Sequence, residues 1–211
     1  KEVAIKMLRN DESQGQKLER FRDEARILGL LRDRAIVGVD APTKLDGHWA
    51  VVMEYVDGVS AKALLTLRSR FPTSVALEVV AEVARALDKC WYHHGPEGEP
   101  LRLLHRDLKP ANIQISPAGE VKILDFGVAR ADFAEREAHT TKHFGGTPGF
   151  IAPERLYGVE EPGGDIYSLG VVLYCFLAGD TPKRVPDYKA PDNISARVLA
   201  LSEKMRSHNP L

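Results

Sequence analysis

The sequence predicts an α+β fold with two lobes, a small sheet-rich N-lobe over residues 1–57 and a larger helical C-lobe over residues 58–211. Short apolar runs broken by turn residues dominate as far as Tyr55-Val56-Asp57-Gly58, whereas helical periodicity dominates from Thr73 onward. The chain has 211 residues and 44% hydrophobic content, which is enough to bury a sizeable core. We therefore place the boundary between the lobes near Asp57.

The N-lobe should contain short strands and one amphipathic helix. The predicted elements are a strand at Val3–Met7, a helix at Gln16–Leu31, and adjacent antiparallel strands at Ala35–Val39 and Trp49–Tyr55. Ala25, Leu28 and Leu31 recur near helical spacing, so this face of the helix should be buried. Asp46-Gly47 is typical of a turn, and it separates the last two apolar runs.

The C-lobe begins with a long helix and should bury a second one. The predicted elements are a helix at Thr73–His93, a hairpin of Ile113–Ile115 and Val121–Leu124, and a buried apolar helix that includes Leu169–Ala178. The hairpin should place Asn112 and Asp125 at neighbouring strand ends. Residues 95–100 are rich in Gly, Pro and Glu, which predicts a surface loop.

Composition and charge exclude several classes of partner and compartment. With 29 Lys+Arg against 30 Asp+Glu, the formal net charge is -1, so no basic excess favours nucleic acid or a membrane surface as a partner. Cys90 and Cys175 lie in apolar stretches far apart in sequence, which predicts reduced, buried thiols. No apolar segment reaches the length of a membrane span, so we expect no membrane segment in the chain and a cytoplasmic location.

Three motifs in a fixed order carry the chemistry of the sequence. The segment His105–Asn112 reads HRDLKPAN, and it is followed by Asp125-Phe126-Gly127 and Ala152-Pro153-Glu154. A transferring phosphoryl group spreads negative charge over its oxygens, so a catalyst needs cations around them and a group that orients the attacking hydroxyl. Asp107 is the candidate base, and Lys109 is the candidate cation. Asn112 and Asp125 offer oxygen ligands of the kind that magnesium prefers.

On these motifs the sequence resembles the eukaryotic-type (Hanks-type) protein kinases, and Lys109 two residues after the aspartate resembles the serine/threonine branch. The resemblance covers nearly the whole chain and implies a protein-kinase-like fold, ATP and Mg²⁺ as cofactors, and a protein Ser or Thr as substrate. Compared with the family pattern, the loop at residues 95–100 is an insertion before the HRD segment, and in this feature the chain resembles bacterial members of the family. No Gly-rich loop precedes Val3-Ala4-Ile5-Lys6, so we expect the N-lobe to be incomplete and the kinase domain to be truncated at both ends.

The resemblance also implies a nucleotide-binding set. Its members are Ala4 over the adenine, Lys6 on the α- and β-phosphates, Glu24 pairing with Lys6, Met53 at the back pocket, the backbone of Glu54 and Val56 at the base edge, Gln114 at the pocket floor, and Asp125 at the metal. Gln114 departs from the family, which usually has an apolar residue there. Either its polar amide weakens adenine stacking, or its methylene stem packs on the ring while the amide turns outward.

Regulation and substrate binding are implied by the segment after Asp125. Thr140 and Thr141 lie in a polar loop that resembles an activation segment, and a phosphate on either threonine could pair with Arg106. Residues 146–150 resemble the platform that holds the substrate backbone beside the phosphoacceptor, and Thr147 within it should form hydrogen bonds near Asp107 and Lys109. By the same resemblance, Asp165 should hydrogen-bond the catalytic-loop backbone.

Two rival functions fit parts of the sequence. A pseudokinase would use the same fold as a binding module without catalysis. The missing Gly-rich loop and Gln114 favour this function, and it is disfavoured by the retained Lys6, Asp107, Asn112 and Asp125. A small-molecule phosphotransferase would share the aspartate and asparagine but is disfavoured by Lys109 and by the segment from Thr147 to Glu154. A homodimer is left open.

Overall fold

The fold is described from a computed structural model of the chain, which describes residues 2–7, 22, 25–95, 98–126, 147, 149–179 and 194–207. It is an α+β fold, as predicted. A three-stranded antiparallel sheet of β1 (Val3–Met7), β2 (Thr43–Leu45) and β3 (His48–Glu54) has the order β1-β3-β2. In β1 the alternation of side chains half-buries Ala4 and Lys6 on one face and exposes the other three residues. Ala4 pairs with Met53 in this register, and Lys6 pairs with Val51.

A second antiparallel sheet lies further along the chain, with the order β4-β5-β6. Its strands are β4 (Val59–Ser60), β5 (Ile113–Ile115) and β6 (Val121–Ile123). The predicted hairpin is confirmed, with Ile113 opposite Ile123 and Ile115 opposite Val121. Its register leaves Asn112 and Leu124 as neighbours just beyond the paired strands, and Leu124 N donates to Asn112 O at 2.9 Å.

The predicted strand at Ala35–Val39 is wrong. The strand joined to β3 by the turn at Asp46 and Gly47, whose φ angles are 49° and 80°, is β2, and residues 35–40 form only isolated bridges. We call residues 35–40 the bridging segment, because its backbone bonds to both sheets. Val37 N donates to Ile123 O (3.1 Å) and Ile123 N to Ala35 O (2.7 Å), while on its other side Glu54 N donates to Gly38 O (2.8 Å).

The helices pack the larger, C-terminal part of the chain. They are α1 (Ala61–Arg68), α2 (Thr73–Tyr92), α3 (Pro162–Ala178) and α4 (Ala196–Met205). The predicted helix at Thr73–His93 is confirmed to within one residue. α3 is apolar on every side and almost wholly buried, because α2 and α4 both pack against it. Phe176 of α3 stacks on Phe71 with ring centroids 4.5 Å apart.

Of the predicted helix at Gln16–Leu31, the described part is helical over residues 25–30. Ala25, Leu28 and Leu31 are buried, as their spacing predicts. Both cysteines are buried and carry free thiols, in agreement with the expectation of reduced residues. Among the residues described, no helix combines the length and the apolarity that crossing a membrane requires.

Candidate active site

The HRD segment is held in place by one buried carboxylate from α3. Asp165 Oδ2 accepts from His105 N at 2.7 Å, and Asp165 Oδ1 accepts from Arg106 N at 2.9 Å. Arg106 has a φ of 66°, a left-handed conformation that is strained for a residue with a side chain. Two charge-assisted bonds at the strained position hold the loop ahead of Asp107. The expected contact of Asp165 with the catalytic-loop backbone is confirmed.

His105 supports the same loop from inside as a neutral side chain. It is fully buried; its Nε2 lies 3.0 Å from Leu124 O, and its Nδ1 accepts from Asp107 N at 3.2 Å. A carbonyl only accepts and an amide N–H only donates, so the two contacts fix the tautomer with the proton on Nε2. Burial lowers the pKa of His105, which agrees with this neutral form. Its ring contacts Phe126 at a centroid distance of 4.7 Å.

Asp107 lies at the centre of a polar cluster. Lys109 Nζ is 2.8 Å from Asp107 Oδ2, and Asn112 Nδ2 donates to the same oxygen at 3.2 Å. Thr147 accepts from Lys109 Nζ at 2.9 Å and donates from its hydroxyl to Asp107 Oδ1 at 3.3 Å. The structure therefore brings together the predicted Asp107, Lys109, Asn112 and Thr147. A carboxylate and an ammonium group side by side can orient a hydroxyl and offset the charge of a phosphoryl group.

Asn112 and Asp125 supply oxygens at the ends of the β5–β6 hairpin. Asn112 Nδ2 also donates to Asp107 O at 2.9 Å, so its two N–H groups face Asp107 and its Oδ1 is the atom left to accept. Asp125 has a φ of 52° and is half-exposed. Lys6 Nζ lies 2.7 Å from Asp125 Oδ1, an ion pair that joins the first sheet to the second residue after β6. An amide oxygen and a carboxylate fit a hard cation such as Mg²⁺.

A cleft opens between the first sheet and Asp125. Lys6 and Asp125 form its polar end, and its apolar lining includes Leu28, Val39 and Met53. An apolar cleft with a few charged groups at one end is typical of a small-molecule site. The predicted Met53 therefore lies in the cleft wall, and its pairing partner Ala4 lies beside it on β1.

The linker between β3 and β4 (residues 55–58) follows directly on β3, which contributes Met53 to the cleft wall. Glu54 ends β3, and its Oε2 accepts from Gly38 N at 3.1 Å and from Lys122 Nζ at 2.8 Å. Gln114 Nε2 donates to Val56 O at 3.1 Å and to Gly58 O at 3.0 Å. The amide of Gln114 is thus turned to the linker backbone.

Several predicted residues lie outside the described part of the chain. Glu24, Thr140 and Thr141 are among them, so their contacts are not described. Arg106 Nε donates to Glu160 Oε2 at 3.2 Å, so a carboxylate is one partner of this guanidinium.

The sequence analysis missed Arg155, which follows the APE motif. Its Nη2 lies 2.8 Å from Asp165 Oδ1, and both side chains are nearly buried. The pair joins the APE turn to α3, and only the fold brings these two residues together. The position of Arg155 beside a recognised motif was the one available signal.

Comparison with known proteins decides the family. The sequence model of the protein kinase domain matches residues 1–209. The chain belongs to the protein kinase family. The predicted resemblance is therefore confirmed, and the two-lobed fold class agrees with solved kinase domains.

Bacterial enzymes are among the most similar relatives. The kinase domain is 36% identical over 188 residues to the serine/threonine-protein kinase PknB of Mycobacterium leprae, covering 86% of this chain and 29% of that protein. It is 33% identical over 182 residues to the probable serine/threonine-protein kinase PknB of Lactococcus lactis, covering 85% of this chain and 28% of that protein. The chain thus spans less than a third of the curated relatives it matches. The crystal structure of the Mycobacterium tuberculosis PknI kinase domain has a TM-score of 0.75 at 24% identity, covering 99% of this chain and 78% of that one.

Proposed function

We propose that the chain is the catalytic part of a serine/threonine protein kinase that transfers the γ-phosphate of ATP to a protein hydroxyl. The observation that carries the proposal is the cluster in which Lys109, Asn112 and Thr147 all contact the Asp107 carboxylate. In such a cluster Asp107 accepts the hydrogen bond of the attacking hydroxyl and orients it toward the phosphorus. Lys109, 2.8 Å from Asp107, offsets the charge of the transferred group.

The nucleotide is proposed to lie between an N-lobe of residues 1–57 and a C-lobe of residues 58–211. Its base would occupy the apolar cleft beside Ala4 and Met53, with the backbone of Glu54 and Val56 at its edge and Gln114 below. Lys6 would hold the α- and β-phosphates, paired with Glu24. These roles follow from the family pattern together with the lining of the cleft.

Magnesium fits the oxygens of Asn112 and Asp125, which would hold it. When bound, the ion neutralises charge on the nucleotide phosphates. The Nδ2 contacts of Asn112 keep its Oδ1 available, and the hairpin fixes the spacing of the two residues. Lys6 contacts Asp125 at 2.7 Å, so the ion pair holds that carboxylate at the polar end of the cleft.

Regulation by phosphorylation of Thr140 or Thr141 is part of the proposal. A phosphate on either residue would compete with the Glu160 carboxylate for Arg106, and phosphate carries more charge and more acceptor oxygens than a carboxylate. Mapping of phosphosites after incubation with Mg²⁺ and ATP tests this step directly.

The test of the function is transfer of labelled γ-phosphate to casein, a protein acceptor, with an aminoglycoside as the alternative acceptor. We expect labelled casein, and we expect Asp107→Asn to lower the rate by at least about 100-fold, within the usual contribution of a positioned base. The control is Asp88→Asn, an exposed substitution on α2. Full activity of Asp107→Asn would refute the assignment of the base. Labelling of the aminoglycoside alone would favour the small-molecule enzyme, and ATP binding without transfer to either acceptor would favour the pseudokinase.

A further inference from the structure

We propose that Gln114 caps the Val56 carbonyl and thereby makes the linker discriminate against purines that carry a 2-amino group. The inference rests on the proposed function, in which the base of ATP meets the linker. Gln114 Nε2 lies 3.1 Å from Val56 O and 3.0 Å from Gly58 O. Both partners are carbonyl oxygens, which only accept, so the amide nitrogen must be the atom that faces them. Each of its two N–H groups then has one partner.

The backbone around Gln114 holds this contact in place. Gln114 pairs with Ser60 in the β4–β5 ladder, so its side chain reaches back along the linker that leads into β4. Gly58 lies so close to β5 that an added Cβ would be 2.6 Å from Ile115 O. The linker therefore lies directly against the strand that carries Gln114. Carbonyls two residues apart point to the same edge of an extended chain, which is how one amide reaches both Val56 and Gly58.

The capped residue still offers a donor to a ligand. Within the described residues, no backbone or side-chain acceptor is hydrogen-bonded to Val56 N. The N–H and C=O of one residue lie on the same edge of an extended backbone, so a ligand atom that accepts from Val56 N has its neighbouring atom next to Val56 O. The linker thus presents the Val56 N–H as a donor, and beside it lies the Val56 carbonyl, which already accepts from Gln114.

The substituent on C2 of a purine decides whether the capped Val56 carbonyl affects binding. In adenine, N1 accepts and the adjacent C2 carries only hydrogen, so the capped carbonyl costs ATP nothing. In 2-aminoadenine, the amino group on C2 would donate to that carbonyl. A carbonyl oxygen has two lone pairs, and the Gln114 amide occupies one of them at 3.1 Å, so the added group has a weakened acceptor and must compete with the amide for space. A hydrogen bond gained on binding is worth about 0.5–1.5 kcal/mol, or about 2- to 12-fold in affinity.

The experiment compares the dissociation constants of Mg²⁺-ATP and Mg²⁺-2-amino-ATP by calorimetry in the wild type and in Gln114→Met. The two nucleotides have the same sugar and phosphates, so contacts away from the base cancel in the ratio. Methionine keeps the length of the side chain and removes both N–H groups. We expect the wild type to bind 2-amino-ATP no more tightly than ATP, and we expect Gln114→Met to shift the ratio about 3- to 10-fold toward 2-amino-ATP. Asp88→Asn, remote on α2, should keep the wild-type ratio.

Each outcome decides a different point. An unchanged ratio in Gln114→Met would overturn the inference while leaving ATP binding intact. If Gln114→Met does not fold, the wild type decides alone, because a preference of threefold or more for 2-amino-ATP would show an available carbonyl and overturn the cap. If the wild type binds neither nucleotide, the proposed function fails and the inference fails with it.

Discussion

Replacement of Asp165 by asparagine should destabilise the fold severely. The carboxylate is 3% exposed and accepts from His105 N, Arg106 N and Arg155 Nη2 at 2.7, 2.9 and 2.8 Å. Asparagine turns one of the two oxygens into a donor, so at least one buried donor loses its acceptor, at a cost of about 1–3 kcal/mol. The nearly buried Arg155 guanidinium also loses its carboxylate, and breaking such a pair costs about 3–5 kcal/mol.

The two costs overlap because they share one side chain, so we expect a total loss of about 3–5 kcal/mol. That is a large part of the 5–15 kcal/mol typical of a domain. Urea unfolding followed by circular dichroism measures the change in the free energy of unfolding. Asp88→Asn, an exposed aspartate on α2, should stay within about 0.5 kcal/mol of the wild type. A loss below about 1 kcal/mol for Asp165→Asn would refute the reasoning that this carboxylate holds the HRD segment and Arg155.

Three further predictions concern the backbone, the thiols and the buried imidazole. Gly179→Ala should lower the free energy of unfolding by about 1–3 kcal/mol more than Gly158→Ala, because both have φ near +79° but only the first would place a Cβ 1.9 Å from a backbone oxygen. Equal losses would contradict this. Cys90 and Cys175 should react with Ellman's reagent only after unfolding, because both are buried and burial raises the pKa of Cys90 to about 12; fast labelling of the folded protein would contradict it. Burial lowers the pKa of His105, so below pH about 6.5 the unfolded chain binds a proton that the folded chain resists. Stability should therefore fall with decreasing pH, by up to about 1.4 kcal/mol per pH unit more than in His105→Gln, and parallel profiles would contradict it.

The sequence predicted correctly those elements in which the spacing of apolar residues indicates a single type of secondary structure. The alternation in β5 and β6 and the long apolar periodicity of α2 gave the hairpin and the helix at nearly the observed bounds. The bridging segment misled the prediction, because its apolar residues are buried like those of a strand while its backbone divides its bonds between two sheets. Periodicity reports burial, and it does not report which partner accepts a backbone hydrogen bond.

In the candidate site too, contacts that are local in sequence were predicted and contacts that depend on the fold were not. Motif spacing placed Asp107, Lys109 and Asn112 together, since all three lie within one short loop and its following turn. The contact of Gln114 with the linker depends on how β4 pairs with β5, and the contact of Arg155 depends on how the APE turn packs on α3. Neither is local in sequence, so neither could be predicted without the fold.

The bridging segment also covers a sheet edge on which another chain could add a strand. β6 is the last strand of its sheet, and an unpaired outer edge is a template on which another chain can add a strand. Val37 N donates to Ile123 O and Ile123 N donates to Ala35 O, so the bridging segment covers this edge. The first sheet in turn anchors the segment through Gly38 O and Glu54 N. Loss of the first sheet would therefore expose the outer edge of β6, so protection of that edge depends on a stretch with no regular secondary structure of its own.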